Sequence, residues 1–538
     1  MAGEQTSVSI EAAALEAAAA PLLDKLVADG VAGKLAAQDA TIWGADAEPE
    51  ASIRLSWTSL HRSSRPLIGE IEALRTELRS EGVDRVVLAG MGGSSLAPEV
   101  ITGTEGVALT VLDTTDPGQV ADALAGDLER TVLVVSSKSG TTVETDSHRR
   151  VFTAAFADAG IDAARRIVVV TDPGSPLAAL GQAEGYRMVF LADPHVGGRY
   201  SALTAFGLVP AGLAGADVAR LLDQAAGVAD ALAADSADNP ALRLAAALGA
   251  AHGDGAEKVV LADTGSGIAG LGDWAEQLIA ESTGKRGTGL LPVVVEGPDA
   301  TGFADAGPDA TPIAIGAPTA AAKVAVTGPL GAQFLLWEYA VAITGRLLAI
   351  NPFDQPDVEA AKRAARSLLD DPAALRGGAE PSAVFGTVEV YASTGTSGGS
   401  LSDVLREFLG TTPEGGYLAV QAYLDRLDDA SAALLRPELA KRSGRQTTFG
   451  WGPRFLHSTG QYHKGGHPNG AFLQITGAAE TDLAVPDRPY TLGTLQLAQA
   501  LGDGQVLAGH GRPVLRLHLT DRVAGLAELM RAVQDITS

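Results

Sequence analysis

Between about residues 61 and 350, short apolar runs alternate with longer stretches in which apolar residues recur every three or four positions. The runs Arg85–Ala89, Val107–Leu112, Val132–Val135, Ile167–Thr171 and Met188–Leu191 have the length and β-branching of buried strands. Lys258–Ala262, Leu291–Val295 and Pro312–Ile315 form a second such set. Leu67, Ile71, Leu74 and Leu78 share one helical face, which predicts a helix over 67–81 closed by Gly82. Helices are also predicted over 268–285 and 330–349. The second is almost wholly apolar, hence buried, and ends at Ile350–Asn351–Pro352 because proline cannot continue it. Strands alternating with helices predict parallel sheets covered on both faces. Residues up to about Leu60 read as helices with polar breaks, and Thr387–Tyr391 and Tyr417–Val420 read as strands of a further region. The expected architecture is α/β. It comprises an N-terminal helical segment (1–60), two doubly wound parallel-sheet domains (61–214 and 215–372) and an additional C-terminal α/β region (373–538).

Composition narrows the function. The chain has 538 residues, 46% of them hydrophobic, which gives ample core. It has no cysteine, which excludes disulfides, thiol catalysis and thiolate zinc sites. Its formal net charge of −25 argues against nucleic acid as a partner, yet leaves room for one small anion held by local cations. The first residues lack a basic leader, and no apolar stretch of ~18 residues predicts a membrane span. A soluble cytoplasmic protein is expected.

The chemistry-bearing stretches follow predicted strands. After Val132–Val135 comes a hydroxyl loop around one cation: Ser136, Ser137, Lys138, Ser139, Gly140, Thr141 and Thr142, with a helix from Val143. One helix cap needs one hydroxyl, and this loop carries five. Strand, hydroxyl loop and helix start together form an anion site, because the first-turn N–H groups lack intrahelical partners and the dipole favours negative charge. After Arg85–Ala89 comes GMGGSSLAPEV, whose Gly90, Gly92 and Gly93 admit close backbone approach and whose Ser94 and Ser95 open a helix. GGRYSALTAFGLVP at 197–210 carries Arg199 behind two glycines, Gln277 and Glu281 share a helix face, and Lys362 lies in the helix after FDQPDVEAAK. On local evidence Arg199 and Lys362 also read as solvated side chains, and Glu281 as an i,i+4 partner of Lys285. Three of the nine histidines, His457, His463 and His467, fall in one glycine-rich stretch without the spacing of a metal site.

Taken in order, GMGGSSLAP, SSKSGTTVET, GGRYS, the ESTGK around Glu281 and NPFDQPDVEAAK resemble the glucose-6-phosphate isomerase family, which has two sugar-isomerase (SIS) domains. The likeness covers roughly 85–365. The region beyond it is similar to the form fused to transaldolase in some bacteria, although no transaldolase domain precedes it here. The resemblance implies that Gly93 and Ser94 lie at the substrate. It implies that Ser137, Lys138, Ser139, Thr141 and Thr142 hold its phosphate, with Ser139 standing where Thr is usual and Gly140 where Phe is usual. Arg199, beside Gly198, would face the reacting carbon, Glu281 would be the base, and Gln355 and Lys362 would reach the substrate. Pro356 and Asp357 replace the usual Trp and Gly. The family's histidine sits between base and lysine, where this chain has none. STGQYHKGG at 458–466 is the nearest likeness, which points to His463, with His457 as the rival.

The implied reaction moves a proton between C2 and C1 of a sugar phosphate through a cis-enediol(ate), after an imidazole and Lys362 open the ring. It interconverts glucose 6-phosphate and fructose 6-phosphate, in glycolysis and gluconeogenesis. It calls for no metal and no organic cofactor, and the family implies a homodimer. Two alternatives stay open at this point: an isomerase that also accepts mannose 6-phosphate, and a non-catalytic sugar-phosphate-binding regulator.

Overall fold

The computed structural model describes residues 5–370, 380–392 and 398–536. The expected boundary at 372/373 lies outside them. Three sheets organise the chain. The first has five parallel strands in the spatial order Thr110–Leu112, Arg85–Gly90, Thr131–Ser136, Ile167–Thr171, Met188–Leu191. Every residue of Thr131–Ser136 is buried, which is why that strand reads as an unbroken apolar run. The chain leaves Arg85–Gly90 for one neighbour and then returns to its other side. The order therefore reverses between Arg85–Gly90 and Thr131–Ser136. In an open parallel sheet the crevice beyond the carboxyl ends at such a reversal is where ligands bind. The glycine loop and the hydroxyl loop flank this crevice.

The second sheet runs Ser7–Ile10, Val324–Thr327, Ala310–Gly316, Lys258–Thr264, Leu291–Val294. It is parallel except for Ser7–Ile10, which pairs antiparallel with Val324–Thr327. The N-terminal segment is thus not all helix, as its pattern predicts: its first element completes the edge of a distant sheet. The apolar helix Leu330–Leu347 is buried along nearly its whole length, as expected. One continuous core runs through the N-terminal helices and both of these sheets.

The C-terminal region holds a third sheet, ordered Ala383–Phe385, Val388–Ala392, Val514–Leu519, Gly470–Gly477, Tyr417–Tyr423, Gln446–Trp451. Its four strands from Tyr417 onward are mutually parallel, and an antiparallel hairpin covers one edge. The region packs Tyr417, Tyr462 and Phe472 against the second sheet and Val485 and Leu492 against the first. Docked on both, it delivers its loops to the space between them. Among the described residues no helix is long and apolar enough to cross a membrane.

Candidate active site

A cleft of about 470 Å³ lies where the first sheet's crevice meets the helix Leu271–Thr283 of the second unit and the loops around Gln355 and His457. Its floor requires glycine. A Cβ on Gly93 would lie 2.0 Å from the carbonyl oxygen of Gly198, so the loops at 92–94 and 197–199 touch through backbone alone. Gly92 has φ +55°, and its missing side chain leaves room for the His457 backbone. Ser94 lines the cleft and is buried. Ser201 Oγ donates to the Gly198 carbonyl at 2.6 Å and contacts that of Gly93 at 3.3 Å, which ties the loops together.

The hydroxyl loop is internally braced. Ser137 Oγ lies 2.9 Å from Thr142 Oγ1 and accepts from the Gly140 N–H, and Ser139 Oγ lies 3.0 Å from Thr141 Oγ1. Ser137, Lys138, Ser139 and Thr142 line the cleft, whereas Thr141 does not. Lys138 is ion-paired with Asp172, whose carboxyl burial raises above the usual carboxylate range against the pull of that ammonium.

Glu281, on the last turn of Leu271–Thr283, is 8% exposed and lines the cleft. Its carboxylate accepts from Arg199 Nη1 at 3.3 Å and from Gln277 Nε2 at 3.4 Å. Burial pushes its pKa above 4.5, and Arg199 and Gln277 only partly offset this. The alternative partner Lys285 turns elsewhere: its Nζ donates to the carbonyls of Asn351 and Asp354 at 2.7 Å each, and burial and Arg199 bring its pKa down to about 8. Arg199 itself does not reach the cleft surface. It lies behind Glu281 and Gln355, donating to Ser282 Oγ (2.9 Å), Gln355 Oε1 (2.7 Å) and the carbonyls of Pro352 and Asp354. Tyr200 bonds Ser282 and stacks on Trp57, while Trp43 meets Phe353 edge to face. The N-terminal segment, whose purpose its sequence does not disclose, thus buttresses the arginine.

The two histidines part company. His457 lines the cleft, its carbonyl accepts from Gln277 Nε2 at 2.8 Å, and its Nε2 lies 3.0 Å from Glu144 Oε1. Gln499 Nε2 also donates to Glu144 at 2.7 Å. Burial acts to raise the Glu144 carboxyl, but the His457 contact, a backbone hydrogen bond and the Lys362 ammonium together hold it below the usual carboxylate range. His463 is not at the cleft, contrary to the first expectation. It is buried, stacked on Tyr417 with its Nδ1 3.0 Å from the Tyr417 hydroxyl, and edge-on to Phe472. Burial drives its pKa well below 6.5. In the same segment Gln461 bonds the Gly284 carbonyl and Asp357 and so staples the C-terminal region to the loop after Pro352. Lys362 lines the rim of the cleft, 43% exposed, and donates to Glu359. Glu144 falls inside the SSKSGTTVET motif, but its part beside His457 is not legible there, because an acid in a helix's first turn reads as an ordinary dipole partner. One group of potential cation ligands occurs among the described residues, Asp122, Asp425 and Asp428, and none of the three lines the cleft.

The arrangement offers a buried carboxylate beside a guanidinium, an imidazole oriented by a second carboxylate, and a hydroxyl loop with a cation. Residues 71–288 match the phosphoglucose isomerase family model. The "Probable glucose-6-phosphate isomerase" of Haloarcula marismortui is 40% identical over 163 residues, 29% of this chain and 37% of that protein. The glucose-6-phosphate isomerase of Thermus thermophilus is 36% identical over 179 residues, 32% of this chain and 42% of that protein. The matched stretch spans only 27–37% of the length of the first curated relatives. Among solved structures, a hypothetical protein of Thermus thermophilus aligns with a TM-score of 0.56 at 24% identity, over 68% of this chain and 99% of that one. A glucose-6-phosphate isomerase of Chlamydia trachomatis aligns with a TM-score of 0.51 at 21% identity, over 58% of this chain and 74% of that one. These structures share the fold; four of the five motifs fall within the matched stretch 71–288, and NPFDQPDVEAAK lies beyond it.

Proposed function

We propose that the chain is a glucose-6-phosphate isomerase, interconverting fructose 6-phosphate and glucose 6-phosphate. The observation that carries this reading is the buried Glu281 carboxylate, which opens on one cleft with the hydroxyl loop of the first sheet and is backed by Arg199 at 3.3 Å. The loop at 137–142, with Ser94, grips the phosphate, and that remote binding energy fixes the sugar's first carbons at Glu281. His457, held by Glu144, gives and takes the ring-opening proton, and Lys362 assists from the rim. Glu281 then removes the proton from one carbon of the open chain and returns it to the neighbouring carbon. The negative charge developing on the enediolate oxygen is stabilised by the nearby guanidinium, held to its site by five acceptors. Imidazole suits ring opening because one ring nitrogen can take a proton while the other is held by a hydrogen bond. The site draws its histidine from its own chain, so a homodimer, also part of this reading, is not needed to complete it.

The test is a coupled assay of glucose 6-phosphate formed from fructose 6-phosphate, followed across pH. Turnover is expected. Because Glu281 must be ionised to act and its pKa is raised, kcat/KM should fall on acidification with a limb above 4.5. Absence of turnover at every pH overturns the proposal.

Replacing the two histidines separately distinguishes their parts. His457→Ala should lower kcat by about 10²–10³-fold and cost about 1–3 kcal/mol of stability, because the buried Glu144 loses its imidazole partner. His463→Ala should leave kcat per folded molecule near wild type and cost about 1–3 kcal/mol of stability, because the Tyr417 hydroxyl loses its partner in the core. A folded His463→Ala protein without turnover would return that residue to the mechanism.

A further inference from the structure

A second cavity, of about 610 Å³, lies on the other side of the hydroxyl loop from the cleft. Four arginines line it, Arg149, Arg150, Arg366 and Arg488, against two acids, Asp146 and Asp370. The wall therefore carries an excess of positive charge in a chain of net charge −25. Asp146 is shared by three of the arginines, at 2.7 Å from Arg149, 2.8 Å from Arg150 and 2.7 Å from Arg488. Among the described residues Arg366 makes no hydrogen bond or ion pair, so its exposed head is available to a ligand. Thr145 also lines the cavity, and its buried Oγ1 has no hydrogen-bond partner. The remaining wall is apolar and partly flat: Leu177, Leu180, Leu369 and Tyr490. Guanidinium forks match phosphate oxygens in pairs, and a cavity of this size is in the range of small-molecule sites.

We propose that this cavity is a second anion site, separate from the cleft, for a phosphorylated organic anion with a flat apolar part, of the nucleoside diphosphate class. The diphosphate lies against Arg366, Arg488 and Arg150, and the ring lies against Tyr490, Leu177 and Leu180. Ser137 and Thr142 line both this cavity and the cleft, so occupancy is felt by the loop that faces the sugar phosphate.

The test is calorimetric titration of the full chain with ADP and with pyrophosphate, and it does not depend on the isomerase reading. ADP is expected to bind one to one, and pyrophosphate about tenfold or more weakly, because it cannot use the apolar wall. Arg366→Gln with Arg488→Gln should weaken ADP by about tenfold or more, and Leu180→Glu, which leaves the arginines in place, by a similar factor. Lys362→Gln, which removes a cleft cation one helical turn from Arg366, should change it by less than about twofold. Circular dichroism of each variant checks that it folds. No ADP binding, equal affinity for pyrophosphate, insensitivity to both the arginine and leucine changes, or equal sensitivity to Lys362→Gln each overturns the proposal.

Discussion

Replacing Glu281 with glutamine should lower turnover by about 10³-fold or more while the sugar phosphate still binds. Glutamine keeps the shape of the side chain and can still accept from Arg199, but it cannot carry a proton between two carbons. The phosphate loop is untouched, so KM should move by no more than about threefold. The fold should not suffer. Burial raises the Glu281 pKa, so the native state favours its protonated form. Such a group stabilises the protein below its unfolded pKa, and that contribution is lost as pH rises through the folded value. At neutral pH glutamine removes the cost of burying the ionised form but leaves the buried Arg199 guanidinium without its anionic partner, so the melting temperature should shift little in either direction. A Glu281→Gln enzyme that turns over normally would remove this residue from the chemistry. A loss of turnover with a collapsed melting curve would show only a structural role.

The second large effect is expected at Arg199. Its side chain is 2% exposed and donates to five acceptors from two segments, residues 281–282 and 352–355. Lysine keeps the charge but offers no planar fork, so it cannot serve Ser282, Gln355 and the Pro352 carbonyl together. Arg199→Lys should lower kcat by about 10²–10³-fold, since both the placement of Glu281 and the stabilisation of developing charge depend on that fork. Arg199→Ala should in addition cost about 3–5 kcal/mol of stability, because it strands the buried Glu281 and leaves several carbonyls without donors. Kinetics with thermal melts of both variants check this. Equal turnover in Arg199→Lys and wild type would contradict the fork argument.

What the sequence discloses follows the range of the interactions involved. Thr131–Ser136 is buried on both faces, so it declares itself as a continuous apolar run, and the loop beyond it declares itself through its hydroxyls. Ser7–Ile10 is half polar and only four residues long, and it becomes a strand because Val324–Thr327 presents an edge more than 300 residues away. The helix Leu271–Thr283 is legible, and with it the shared face of Gln277 and Glu281. The destination of Lys285 is not, because the carbonyls it binds, those of Asn351 and Asp354, stand 66 and 69 residues further along the chain.

The histidine is the hardest to place. His463 follows a Gly-Gln pair and so carries the local likeness, but Tyr417 and Phe472, brought in by neighbouring strands, wall it into the core. His457 has no such flanking pattern. Its partner Glu144 stands 313 residues earlier, so only the folded chain shows the pair. Trp43 and Trp57 likewise read as helix residues until Phe353 and Tyr200 are seen against them.

The central claim is that one carboxylate reaches both carbons between which the proton moves. A crystal structure of the protein soaked with fructose 6-phosphate tests it most directly. The account predicts the phosphate on the loop at 137–142 and the Glu281 carboxylate within about 3.5 Å of C1 and C2. A sugar phosphate bound in the cleft with that carboxylate remote from both carbons would contradict it.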